Sequence, residues 1–307
     1  MKIAVIGSNM VDLVTYVNDM PKWGETLEAP SFSIGCGGKG ANQAIAAAKL
    51  GADVMMISKV GDDLFADNTI ANFSNFGVNN KYVKKVTGCS SGVAPIFVDQ
   101  SAQNQILIIK GANNFLVSTD IDEAETDLKN CDVIVLQLEI PLNTVYYAID
   151  FANKYNIPVI LNPAPATTDL NIEYACRCDF FMPNESELAI LTNLPVSTLE
   201  EIEYAANVLL QKGLKNIVVT LGSRGALWMT KDTKIHIPPT KVDAIDSSGA
   251  GDAFIGCFSH YLVKSGDVLT ALKQASIFAA YSVTGRGTQS SYPDIEQFEN
   301  FKTSHNL

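Results

Sequence analysis

Positive charge is scarce in this chain. It carries 22 Lys and Arg against 33 Asp and Glu, a formal net charge of −11, and no Lys/Arg-rich run. That balance excludes a nucleic-acid surface or an anionic-membrane surface. Any phosphate the protein handles must be held by backbone donors and a few Lys or Arg, with a metal to screen charge. Long apolar runs are also missing: none approaches the roughly 20 residues a membrane span needs. The apolar start, Met1 to Gly7, is too short for a signal-peptide core with its cleavage site. Cysteine is sparse and scattered, at 36, 89, 131, 176, 178 and 257. Cys176-Arg177-Cys178 is too tight for a usual zinc pair and has no second pair. The six are expected to be reduced thiols in a cytoplasmic protein. There is no internal repeat and no low-complexity segment.

What is present is an ordinary soluble composition, 47% hydrophobic and 18% charged, on 307 residues. That length buries a large core, as one large domain or one with a small appendage. Apolar runs at 54–57, 133–136, 159–161, 180–182 and 217–220 read as buried parallel strands. Helical patterns at 41–50, 142–155, 185–191 and 199–212 separate them. The alternation predicts an α/β sandwich on a mainly parallel sheet, with ligands beyond the carboxyl ends of its strands. Two regions break the pattern. Residues 13–34 are extended, with Pro21, Gly24 and Pro30. Residues 91–110 read as a hairpin of 93–98 and 105–109 around a polar turn at 99–104. Together they form a small second sheet that acts as a lid or a dimer surface, or else two decorated loops.

The most informative stretch is Asp246-Ser247-Ser248-Gly249-Ala250-Gly251-Asp252, followed by an apolar helical segment at 253–263. It reads as a tight loop feeding a helix N-terminus, whose unpaired N–H groups attract phosphate or a developing oxyanion. Asp252 at that mouth would take a proton from whatever attacks the phosphate. The competing reading is an Asp cap on an ordinary helix. The segment Gly35-Cys36-Gly37-Gly38-Lys39-Gly40-Ala41-Asn42 matches a dinucleotide fingerprint by letter only. No apolar strand precedes it in the required way, and Gly40 stands where a Walker loop has Ser or Thr. It suits a turn offering backbone N–H groups, Lys39 and Asn42 to a small polar ligand. Asn184 and Glu187 share one helix face and could hold water around Mg²⁺, or simply cap the helix. Thr220 to Gly225 suits a nucleotide-phosphate turn.

These motifs, in this order, resemble the ribokinase branch of the PfkB carbohydrate kinases over essentially the full chain. The resemblance implies a ribokinase-like three-layer α/β/α sandwich spanning 1–307, with a small β-sheet lid at about 13–36 and 91–110. It implies ATP-dependent phosphorylation of a sugar hydroxyl, a phosphotransferase reaction with an alcohol acceptor. Asp252 would be the general base, and the backbone of Gly249, Ala250 and Gly251 the anion hole. Asp12, Gly38, Lys39, Asn42 and Glu139 would contact the sugar. Asn184, Glu187, Thr220, Gly222, Ser223, Gly225 and Gly251 would contact the nucleotide and its Mg²⁺. Asp246, Ser248, Ser282, Gly285, Gly287 and Ser291 would hold an activating K⁺. The lid's apolar strands suit a homodimer. A sensor of sugar or nucleotide on the same fold is the alternative class. It has no need of a base such as Asp252, and an ADP-release assay with a sugar panel separates the two.

The informative departure is Met10. In Gly7-Ser8-Asn9-Met10-Val11-Asp12 the ribokinase pattern has Asn two residues before the Asp. A thioether offers a sugar an apolar surface and only a weak acceptor. That suits a carbon without a hydroxyl, and the bacterial deoxyribose-phosphorylating members of the family share this Met. The expected substrate is therefore 2-deoxy-D-ribose, phosphorylated at O5, with ribose poorer. The alternative is that Asn9 moves in to replace the missing amide, leaving an ordinary ribose kinase.

Overall fold

The computed structural model describes residues 1–99 and 104–307. Along the chain the strands are β1 (Lys2–Ile6), β2 (Met10–Tyr16), β3 (Ser31–Gly37), β4 (Asp53–Val60), β5 (Asn79–Lys85), β6 (Val93–Val98) and β7 (Asn104–Ile106). They continue with β8 (Val133–Leu136), β9 (Val159–Leu161), β10 (Phe180–Phe181), β11 (Ile217–Thr220), β12 (Ala226–Met229) and β13 (Lys234–Ile237). The larger sheet has the order β13-β12-β11-β10-β9-β8-β1-β4-β5. It is parallel except for β12 and β13, which return as an antiparallel hairpin at one edge.

Strand alternation assigns each residue a face. Ala4 and Ile6 of β1 pack with Ile134, Leu136, Val219 and the helices Leu142–Tyr155 and Leu199–Gln211. Ile3 and Val5 pack on the other face with Val133, Val135 and the helices Lys39–Lys49, Ala250–Ser265 and Val268–Ser282. The result is the expected three-layer sandwich. Helix Leu142–Tyr155 has the bounds its periodicity predicts.

From β1 the chain first builds toward β4 and β5, then crosses back to β8 and works outward the other way. The order reverses between β1 and β8. Ligands settle in the crevice beyond the carboxyl ends of strands at such a reversal.

The small sheet has the order β3-β2-β6-β7. β2 pairs antiparallel with β3 and parallel with β6. The extended reading of 13–34 holds at its two ends, in β2 and β3. β3 runs on through Gly37, so part of the glycine-rich segment is strand, but in the small sheet rather than the parallel one. The expected second hairpin strand at 105–109 is shorter: Asn104–Ile106 pairs with β6, and Ile109 rejoins only as a single bridge to Val93. Of the polar turn expected at 99–104, residues 100–103 lie outside the described residues. Among the described residues, no helix is long and apolar enough to cross a membrane. All six cysteines are free thiols.

Candidate active site

The reversal between β1 and β8 delivers polar residues to one place. Ser8 and Asn9 follow β1; Gln137 and Glu139 follow β8. Glu139 is 4% exposed. Its Oε2 accepts from the Ser8 hydroxyl and, at 2.9 Å, from the Lys39 backbone N–H. Helix Lys39–Lys49 starts after Gly38, which has no side chain to cap it. Glu139 supplies the missing acceptor and the negative charge that a helix N-terminus favours.

Asp252 lies in the first turn of helix Ala250–Ser265, behind Gly249. It is buried. Its Oδ2 accepts from Asn42 Nδ2 at 3.0 Å and its Oδ1 from Gln43 Nε2 at 2.9 Å. The helix N-terminus therefore carries a real first-turn carboxylate with side-chain partners of its own. Asp252 is not the residue that caps the helix: Gly249, at φ 72, occupies that position. The peptide oxygen of Gly249 accepts from the Tyr292 hydroxyl at 2.9 Å, which ties the loop to the residues after helix Val268–Ser282.

Asp12 comes from β2 of the small sheet and faces the same space. Its carboxyl is pushed up from 3.8 to about 7, first by burial and then by the charges of Glu139 and Asp252. Burial alone would lower the Lys39 ammonium, but Asp252, Glu139 and Glu187 outweigh it and raise it, so the lysine stays charged. Glu187 is raised by burial, against the Asn184 N–H and Lys39, with Asp252 adding to the rise. Asp12, Glu139, Glu187 and Asp252 thus share one space with the Lys39 ammonium. A polyanion enters such a space only with cations or strong N–H donors.

Asn184 and Glu187 form a reciprocal capping box. Asn184 Oδ1 accepts the Glu187 N–H, and Glu187 Oε2 accepts the Asn184 N–H, both at 2.8 Å. The capping interpretation therefore holds, and Mg²⁺ ligation by Glu187 Oε2 would have to compete with it. Asn184 also forms a parallel bridge to Thr220, whose N–H donates to Pro183 O at 3.0 Å. The turn Gly222–Arg224 follows, with Ser223 in it and Gly225 leading into β12. An ion pair between Arg224 and Glu185 joins the two segments.

Around the expected cation site, Asp246 Oδ1 accepts the Ser248 N–H at 2.9 Å and Oδ2 the Gly287 N–H at 2.8 Å. Burial would raise Asp246, but these two amides, the Ser248 hydroxyl and the Arg286 charge together hold its carboxyl below the usual range. The Ser282 carbonyl accepts the Gly285 N–H at 3.4 Å, and Gly285 lies against Ser291. The six residues are brought together.

Met10 is 2% exposed. Its sulfur packs against Gly92 and stands 3.8 Å from Asn113 Nδ2. Met10 and Asp12 are alternate residues of β2 and share one face. Asn9 points elsewhere: its Nδ2 donates to Ser58 Oγ at 2.8 Å and to the Lys59 carbonyl at 2.7 Å. It is completely buried there, so it does not stand in for the amide missing at position 10.

This constellation has relatives. The model of the pfkB family of carbohydrate kinases matches residues 1–295. The chain belongs to that family. As a carbohydrate kinase it is a phosphotransferase with an alcohol group as acceptor. It is 64% identical over 301 residues to the deoxyribokinase of Salmonella typhi, covering 98% of each chain. It is 38% identical over 295 residues to the ribokinase of Mus musculus, covering 95% of this chain and 91% of the relative. The structure of Arabidopsis thaliana ribokinase complexed with ribose and ATP superposes with a TM-score of 0.89, at 29% identity over 97% of each chain.

For this carbohydrate kinase, the motif reading missed Ser8, Gln43, Gln137, Asn162, Gln289 and Tyr292. One signal was available. Asn42 and Gln43 are amides in a helix otherwise built from Gly, Ala and Ile on its buried side. Polar residues in such a place need partners, and the partners lie too far along the chain for any motif to name.

The raised carboxyl of Asp12 links the site to stability. Between about pH 4 and 7 the folded protein keeps a proton that the unfolded chain has lost. The stabilising contribution is complete below pH 3.8 and is lost as pH rises through about 7. Asp12→Asn removes that penalty, so the variant should be more stable than the parent above pH 7 by about 1–3 kcal/mol. The advantage should fade toward pH 4. A melting-temperature difference that stayed constant over this range would contradict the assignment.

Proposed function

We propose that the protein transfers the γ-phosphoryl group of ATP to O5 of 2-deoxy-D-ribose, with D-ribose a poorer substrate. We read residues 1–307 as one kinase unit in which the small sheet closes over the sugar. The observation that carries the reading is Asp252, a buried carboxylate in the first turn of helix Ala250–Ser265 whose charge acts on Asp12, Lys39 and Glu187. The sugar hydroxyl gives its proton to Asp252 as O5 bonds to the γ-phosphorus. The bond from that phosphorus to the β–γ bridging oxygen breaks, and ADP leaves with the electron pair. The backbone amides of Gly249, Ala250 and Gly251 stabilise the charge on the transferred group. Asp12, Gly38, Lys39, Asn42 and Glu139 orient the sugar. Asn184, Glu187 and the Thr220–Gly225 turn hold the nucleotide.

The donor chemistry at Asp246 suits a monovalent cation. One ionised carboxylate and several backbone carbonyls, from Ser248, Ser282, Gly285, Gly287 and Ser291, match K⁺ and its low charge density. When bound, K⁺ would add positive charge beside the anion hole. No group of three or more His, Cys, Asp or Glu side chains among the described residues is arranged to hold a metal ion. Mg²⁺ would therefore be held through ATP phosphates and water, and would neutralise the charge they bring into an acidic site. Six free thiols support a reducing, cytoplasmic setting.

The sugar preference rests on Met10, supported by the 64% identity to a deoxyribokinase against 38% to a ribokinase. An apolar pocket rejects an added hydroxyl by roughly a hundredfold at most. Met10→Asn should raise kcat/KM for ribose relative to deoxyribose by about tenfold or more. An unchanged ratio, measured by ADP release with both sugars, removes Met10 from specificity.

The small sheet and the segment after β7 also leave Phe32, Ile34, Ile106, Leu107, Ile108 and Ile109 exposed, each by more than 40%. An apolar surface of this extent suits a homodimer through the lid. Sedimentation equilibrium should give twice the chain mass, and Ile34→Glu should shift the protein toward monomer. A parental protein that stays monomeric at every concentration would refute the dimer.

A further inference from the structure

Two chains of side-chain amides end on Asp252. In one, Gln137 Nε2 donates to Gln43 Oε1 at 2.7 Å, and Gln43 Nε2 donates to Asp252 Oδ1 at 2.9 Å. In the other, Asn72 Nδ2 donates to Gln289 Oε1 at 2.8 Å and Gln289 Nε2 to Asn42 Oδ1 at 2.9 Å. Asn42 Nδ2 then donates to Asp252 Oδ2 at 3.0 Å. Both chains run in one sense, with every donor aimed toward the carboxylate. The cause is chemical. An ionised carboxylate only accepts, so the last amide must present its NH₂, which leaves its carbonyl for the donor behind it.

Gln43 is the more constrained of the two final donors. It also donates to Asn162 Oδ1 at 3.2 Å, and Asn162 Nδ2 is held by the Met182 carbonyl at 2.9 Å. Its oxygen and its NH₂ group are thus all engaged. Gln43, Gln137 and Asn162 are at most 5% exposed. Bonds to a charge in such surroundings are stronger than in water. Asn42 shares the carboxylate but also belongs to the proposed sugar contacts, whereas Gln43 does not.

We infer that Gln43, fixed by Gln137 and Asn162, is a positioning residue for the Asp252 carboxylate. It sets the rotation of the carboxylate and holds it as the anion until the sugar hydroxyl arrives. This inference rests on the reading of Asp252 as the base. The Asp252 charge acts in turn on Lys39, Asp12, Glu187 and Tyr292, and all of these stay in place when Gln43 is changed.

The test uses the full-length enzyme with deoxyribose and ATP. Gln43→Met keeps the length of the side chain and removes the donor. Its kcat should fall about tenfold to a hundredfold, while KM for sugar and for ATP changes less than about threefold. The acid limb of the kcat profile should move up by about one pH unit, because the charged form has lost a hydrogen bond. Gln137→Met should act in the same direction but less, and it serves if Gln43→Met does not fold. A folded Gln43→Met with parental kcat and acid limb overturns the inference. So does a change confined to sugar KM, which would make Gln43 a sugar contact. A lower melting temperature with an unchanged pH profile would make it merely structural. Asp252→Asn is assayed alongside. If it retains near-parental kcat, the base reading fails and takes this one with it. If it is inactive while Gln43→Met is parental, only the inference fails.

Discussion

Asp252→Asn should lower kcat by about a thousandfold or more while the enzyme still binds ATP and sugar. General bases contribute typically 10²–10⁴-fold, and an amide in this place accepts no proton. The substitution is nearly isosteric, so the anion hole and the sugar contacts remain. It has one further consequence. Asn42 and Gln43 both aim an NH₂ group at the carboxylate, and an amide presents one acceptor and one donor. One of the two neighbours must turn, which breaks its chain behind it. A modest loss of stability, about 1 kcal/mol, should therefore accompany the loss of turnover. Steady-state rates with calorimetric binding of each substrate check both parts. A kcat within tenfold of the parent would remove Asp252 as the base.

Gly249→Ala should cost about a hundredfold in kcat and a few degrees of melting temperature. The backbone of Gly249 is left-handed, at φ 72. A side chain there is strained by roughly 1–2 kcal/mol before it touches anything. An added Cβ would also fall 2.7 Å from the Tyr292 hydroxyl oxygen and 3.0 Å from Thr288 Cγ2. Tyr292 is fully packed and bonded to the Gly249 carbonyl, so it has little room to withdraw. The loop must move instead, and it carries the amides proposed to meet the transferred phosphoryl group. A shift of about 1 Å there is enough to cost two orders of magnitude. The expected signature is a fall in kcat larger than any rise in the two KM values. A variant that folds, melts normally and turns over like the parent would separate the loop from catalysis.

The large elements were legible because their signals are local. Val133–Leu136 is apolar throughout, and Leu142–Tyr155 keeps its apolar stripe from end to end. The loop around Gly249 was legible for the same reason. The partners of Asp252 were not. Gln43 lies 209 positions from it in sequence, and Gln289 reaches Asn42 across 247. No periodicity encodes a hydrogen bond over such separations. The parallel pairing of β2 with β6 was hidden likewise, because one reads as part of an extended stretch and the other as the arm of a hairpin. At Asn184 and Glu187 the capping alternative proved real, since the same amide and carboxylate satisfy each other's backbone. Sequence also left two fates for Asn9, and only its bonds to Ser58 and Lys59 distinguish them.

The placement of Met10 and Asp252 on different sheets and layers bears on how such an enzyme changes its diet. Met10 begins β2 of the small sheet, whereas Asp252 rides on a helix packed against the large one. Mutations that retune the sugar preference can accumulate on the small sheet without disturbing the packing that aims the carboxylate. Libraries built at Met10 should therefore return altered substrate ranges far more often than inactive protein. Libraries built at Gln43, Gln137 or Gly249 should do the reverse. Lineages diverging to new sugars would vary first in one sheet and hold the other still.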